Sequence, residues 1–131
     1  MRSVDTNVLA RWLLGDDSAQ TQAALAVVAE PLWISPTVLL ELGWVLSKAI
    51  GLPRDVVAGM LRQVINLETA TLPHREAFAW AIDRYEQGGD WADMAHFAAS
   101  GAEASVFVTF DRLLERKAGP DRPLPVETLR V

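Results

Sequence analysis

Four carboxylates carry the chemistry this chain could perform. Asp5 closes the short run from Met1 to Val4, Glu41 and Asp93 stand early in helical patterns, and Asp111 follows the apolar stretch ending at Thr109-Phe110. Carboxylates in close quarters repel one another and would protonate or splay unless cations sat between them. All-oxygen ligation, with no cysteine in the chain and no histidine at these positions, suits a hard ion such as Mg²⁺ or Mn²⁺. Such ions act on phosphoryl groups, activating water and stabilising the attacking and leaving oxygens.

Each acid also has an ordinary reading. Asp5 or Thr6 is a suitable cap for a helix carrying Val8, Leu9, Trp12 and Leu13. Glu41 could be a solvated helix glutamate, yet Thr37, Val38, Trp44 and Val45 are its helical neighbours and none can neutralise it. Lys48 lies two turns on, and an unpaired carboxylate among apolar neighbours is costly if buried. Asp90 as N-cap with Asp93 three residues later resembles a capping arrangement, and Asp111 could cap the helix containing Leu113 and Leu114. His96 reads as a packed or surface histidine rather than a ligand.

The elements that position these residues alternate. Strands are expected over residues 1–4, 32–35, 69–72, 105–109 and 126–129. The second helix is expected to start at caps offered by Asp16-Asp17-Ser18 and to run to Ala29. Ser35-Pro36 opens a third helix reaching Ile50, with Ser35 as cap and Pro36 as first helical residue. A fourth spans 53–65 with Val56, Val57, Met60, Leu61 and Val64 on its apolar side. The fifth opens at Pro73-His74-Arg75-Glu76 and faces the core with Phe78, Ala81, Ile82 and Tyr85. The sixth covers 90–104, a short helix covers 112–117, and Gly119-Pro120-Asp121-Arg122-Pro123 reads as a turn-rich surface loop. Strands alternating with helices predict an open α/β sheet, mostly parallel, whose ligands bind beyond the carboxyl ends of the strands. That rule carries all four acids to one rim, and four separate caps converging there is a weaker explanation than a shared purpose.

The 131 residues suit one domain, and half of them are hydrophobic. Asp5 interrupts the opening stretch, and no run approaches the roughly 20 apolar residues of a membrane span. No membrane association is expected, and the lack of cysteine fits a cytoplasmic protein. A net charge of −5 argues against nucleic-acid binding through a global positive field. Bound divalent cations would offset that charge locally, so the acidic balance leaves a metal-dependent nuclease open.

The chain resembles the PIN-domain family of metal-dependent ribonucleases, and particularly the VapC-type toxins of toxin–antitoxin pairs. The resemblance rests on Val4-Asp5-Thr6-Asn7-Val8-Leu9, Ile34-Ser35-Pro36 through Leu40-Glu41-Leu42, Asp90-Trp91-Ala92-Asp93-Met94-Ala95-His96 and Thr109-Phe110-Asp111-Arg112. It implies a single PIN-like domain over residues 1–131, a three-layer α/β/α sandwich with a four- to five-stranded, mostly parallel sheet. It implies Asp5, Glu41, Asp93 and Asp111 as the catalytic, metal-binding set for Mg²⁺ or Mn²⁺, with Asp90, Thr6, Asn7 and Thr109 as auxiliary groups. It further implies an RNA substrate, a homodimer and a small antitoxin that blocks the site.

Other families fit less well. A haloacid-dehalogenase-like phosphatase would want a second Asp where Asn7 stands, and a receiver domain would need an Asp at the end of the third strand. A non-catalytic PIN-like RNA-binding module and a housekeeping PIN nuclease without an antitoxin are the nearer alternatives. Arg11, Arg112, Arg116 and Lys117 are the basic residues placed to meet RNA, although scattered enough to read as ordinary surface charge. Of Trp12, Trp33 and Trp44, at least one is expected to be partly exposed, because large aromatics are rarely fully buried.

Overall fold

The computed structural model describes residues 1–16 and 18–131, with nothing stated of the Ser18 and Ala102 side chains. The expected cap at Asp17 therefore lies outside the described residues, as does the side chain of Ser18. The chain divides into two compact units, Met1–Pro73 and His74–Val131. All strand pairings are parallel among the described residues, which is the expected α/β class, and the strands bond as a group of three and a group of two.

In the first unit, β1 (Arg2–Ser3) pairs with β2 (Leu32–Trp33), and β2 pairs with β3 (Ala70–Thr71). Asp5 caps α1 (Thr6–Leu14), which ends at Gly15 with φ 61°, the left-handed conformation that glycine adopts without steric cost. The chain continues through α2 (Ser18–Val28) to β2. Ser35 caps α3 (Pro36–Trp44), with proline in its first turn, where a missing N–H costs nothing.

The expected continuous α-helix to Ile50 does not form. A π turn over Val45–Ala49 replaces its end, closed by the Ile50 N–H on the Val45 carbonyl, and the Ser47 hydroxyl donates to the Gly43 carbonyl at 2.6 Å. α4 (Arg54–Ile65) buries Val57, Ala58, Leu61, Val64 and Ile65. Val56, expected on the buried side, is instead exposed, because a 3.6-residue period centred on 57, 61 and 64 turns position 56 outward. Leu9, Leu32, Ile34, Leu39, Leu42 and Leu46 complete a core sealed from water.

In the second unit, α5 (Arg75–Glu86) buries the expected Phe78, Ala81, Ile82 and Tyr85. α6 (Trp91–Ser100) is shorter than expected, because the chain tightens into a 3₁₀ turn over Gly101–Glu103. β4 (Phe107–Thr109) pairs in register with β5 (Val126–Thr128). Phe97 of α6 stacks on Phe107 at 4.2 Å between centroids and meets Trp80 edge-on at 5.6 Å, tying both helices to the strand.

The end of α7 (Leu114–Ala118) is held by Arg84 of α5, whose Nε and Nη2 donate to the Lys117 carbonyl at 2.9 and 2.6 Å. Gly119 follows with φ 81° and ψ −179°, and a Cβ there would stand 3.0 Å from Arg84 Cζ. The backbone conformation requires glycine, and any larger residue would also have to displace the Arg84 guanidinium by a few tenths of an ångström. Among the described residues, no helix is long and apolar enough to cross a membrane.

Candidate functional site

In the first unit the loop after β1 delivers Asp5 as the cap of α1. Its Oδ1 accepts from the Asn7 and Val8 amides at 3.1 and 3.4 Å, which leaves Oδ2 without a hydrogen-bond partner among the described residues. Asn7 contributes its backbone amide to this turn. Thr6 points the other way, into the core, at 5% exposure, and is the one buried polar side chain found among the described residues. Its hydroxyl donates to Oε1 of Glu41, thirty-five positions along the chain. A solvent-exposed glutamate on α3 is thus tied to the residue next to Asp5. Glu41 is therefore neither buried nor without a partner, despite its apolar helical neighbours.

The second unit holds the other pair. Asp90 caps α6, its Oδ1 accepting from the Asp93 amide at 3.0 Å, so the capping reading of Asp90 is correct. Asp93 is half-buried, and its carboxyl is held above the usual carboxylate range first by burial and then by the negative charges of Asp90 and Asp111. His96 and Lys117 act in the opposite direction. Asp111 is fixed from both sides: its amide donates to Thr109 Oγ1 at 3.0 Å, and its Oδ1 accepts from the Leu113 amide at 2.9 Å. Its Oδ2 has no hydrogen-bond partner among the described residues.

The basic residues divide. Arg11 is paired with Asp16 at 2.9 Å. Lys117 acts on Asp93, whereas Arg112 and Arg116 line an open cavity of about 460 Å³ together with Arg122. Arg122 was hidden from sequence reasoning inside the turn-rich loop. Its Nη1 donates to the Gly119 carbonyl at 2.9 Å and its Nη2 meets Glu115 at 3.2 Å. A charged residue three positions after a glycine turn was the available signal.

A family model described as the PIN domain matches residues 3–120, a span that contains all four carboxylates and reaches into both units. The chain belongs to the PIN domain family. No curated protein and no solved structure gives a significant match.

PIN domains are generally metal-dependent nucleases. Among the described residues of this PIN domain, neither unit gathers three or more His, Asp or Glu side chains closely enough to hold a metal ion. Each unit instead offers two acids beside a threonine: Asp5 and Glu41 with Thr6, and Asp93 and Asp111 with Thr109. These donors fit a hard divalent cation in kind, being all carboxylate oxygen. They fit electrostatically as well, since the repulsion that Asp90 and Asp111 exert on Asp93 is what a cation would relieve.

Proposed function

We propose that this PIN domain is a metal-dependent endoribonuclease acting as the toxin of a type II toxin–antitoxin pair, with Asp5, Glu41, Asp93 and Asp111 as its catalytic, metal-holding acids. The observation that most supports the reading is the family match over residues 3–120, a span that holds all four carboxylates. Bound Mg²⁺ or Mn²⁺ would supply an activated water and charge stabilisation at the phosphodiester.

The chain's own residues set up that chemistry. Thr6 fixes the direction of Glu41, and the helix-opening turns fix Asp5 and Asp111 through one oxygen each while leaving the other to face a ligand. Asp90 holds the first turn of α6, so that Asp93 starts from a defined backbone position. Partners that orient ligating groups in this way are worth ~10–100-fold in metal affinity or activity.

The toxin assignment draws support from surfaces of the first unit. An apolar cavity of about 250 Å³ lies between α1 and α2, lined by Val8, Ala23, Ala24 and Val27 beside Asn7 and Arg11. Trp44 is 58% exposed, so one of the three tryptophans singled out in the sequence does face solvent. Such features suit a homodimer and an antitoxin that lays an apolar segment on the helices and sends a basic side chain to the acids. The protein would act on cellular RNA, tRNA or rRNA among the candidates, in the cytoplasm.

Induced expression tests this reading. Growth should stop with the parent chain, continue with Asp5→Asn or Asp93→Asn, and recover when the adjacent small reading frame is co-expressed, while RNA from arrested cells gains new ends. Harmless expression of an active parent would favour a housekeeping PIN nuclease. Equal toxicity of parent and both variants would favour a non-catalytic binding module.

A further inference from the structure

The second unit carries a concentration of positive charge that the acidic set does not use. Arg112, Arg116 and Arg122 line the cavity of about 460 Å³ with Glu115, Gly119 and Pro120. Three guanidinium groups against one carboxylate leave the lining of this cavity positive on a chain whose net charge is −5.

The three arginines are not equivalent. Arg122 is half-buried and held in place, with Nη1 on the Gly119 carbonyl at 2.9 Å and Nη2 near Glu115 at 3.2 Å. Its Nε is buried without an acceptor among the described residues, so what Arg122 offers a ligand is its charge and the second hydrogen of each Nη. Arg112 and Arg116 are exposed, stand four positions apart across the turn that opens α7, and have no hydrogen bond or ion pair among the described residues. One arm is therefore preorganised, and two are free to close on a ligand. Gly119 builds the wall between them, in a backbone conformation that admits glycine alone.

We propose that Arg112, Arg116 and Arg122 form a cradle for a backbone phosphate of RNA beside Asp111. The identification of RNA rests on the nuclease reading; the anion site itself rests on the arginines. Guanidinium forks match phosphate oxygens with paired hydrogen bonds. Arg112 directly follows Asp111, so the cradle and this acid share one segment of the second unit. A chain with excess negative charge also needs such a local offset to hold a polyanion. An acidic peptide would use the same charges, and polyglutamate separates it from RNA in the binding test.

The test is fluorescence anisotropy of a labelled single-stranded RNA with the full chain in EDTA, repeated over a range of KCl concentrations. The parent should bind, and Arg112→Gln/Arg116→Gln should bind more weakly. Each phosphate neutralised on a single strand contributes about 0.7 to the slope of log K against log [salt], so losing the one phosphate held by the cradle should reduce that slope by about 0.7. Arg112→Lys/Arg116→Lys should recover most of the slope, which a merely structural role would not do. Lys48→Gln, in the other unit, should match the parent. A parent that does not bind RNA, a double Gln variant with parental affinity and slope, or equal losses for polyglutamate and RNA would each overturn the cradle. Binding is read without metal or cleavage, so these failures leave the nuclease reading standing; that reading fails separately if the parent shows no Mn²⁺-dependent cleavage.

Discussion

Replacing Thr6 with valine should separate catalytic positioning from stability. The Thr6 side chain is 95% buried by its 5% exposure, and its hydroxyl donates to the exposed Glu41 carboxylate. Hydrogen bonds to charged groups contribute about 1.5–3 kcal/mol, and the low end applies because Glu41 regains water when the donor is lost. Valine puts a methyl group where the hydroxyl was, which returns about 0.8 kcal/mol of apolar burial. The net cost is about 1 kcal/mol, or a fall in Tm of about 3–6 °C. Thr6→Ser keeps the donor and loses a buried methyl, at a similar cost of about 1 kcal/mol. Activity should diverge where stability does not: Thr6→Val should lose about 10–100-fold in Mn²⁺-dependent RNA cleavage, and Thr6→Ser should stay near the parent. The assay is cleavage of a fluorophore–quencher RNA well below either melting temperature. Equal activity of the two variants, whether both high or both low, would refute the role given to Thr6.

Three further outcomes follow from the second unit. The raised Asp93 pKa means that the folded state binds this proton more readily than the unfolded chain, so the group's contribution to stability is fully present at low pH and is lost as pH rises through the folded value. In EDTA, Asp93→Asn should therefore melt higher than the parent at neutral pH, and the difference should shrink on acidification; a variant less stable at neutral pH would contradict this. Asp90→Asn should stay within about 0.5 kcal/mol of the parent in denaturant titration because asparagine caps equally well, whereas Asp90→Ala should cost about 1 kcal/mol. Gly119→Ala should destabilise by about 1–3 kcal/mol through its backbone conformation, with more from the contact with Arg84, and an unchanged midpoint would show that the α7 turn is not held as described.

Local chemistry made much of this fold legible. Asp5, Ser35-Pro36 and Asp90 announce helix starts because capping is decided by adjacent residues, and all three act as caps. The π turn at Val45–Ala49 was not legible, since an i→i+5 bond leaves the apolar spacing of its neighbours almost intact. Strand lengths were overestimated for the same reason in reverse: Leu32-Trp33-Ile34-Ser35 is apolar enough for four residues of strand, yet pairing covers two. The link from Thr6 to Glu41 spans thirty-five positions, and no local pattern encodes it. Arg122 escaped notice because its neighbours are turn residues, and only folding brings Glu115 and the Gly119 carbonyl to it. The family match covers residues 3–120, a span that includes all four acids.

The measurement that bears most directly on the acids is cleavage of a labelled RNA by parent, Glu41→Gln and Asp93→Asn proteins across a Mn²⁺ titration, with circular dichroism confirming the fold of each. The parent should cut only when Mn²⁺ or Mg²⁺ is present, and both variants should lose cleavage at every metal concentration while remaining folded. Cleavage by the parent in EDTA, or parental rates in both folded variants, would contradict the account.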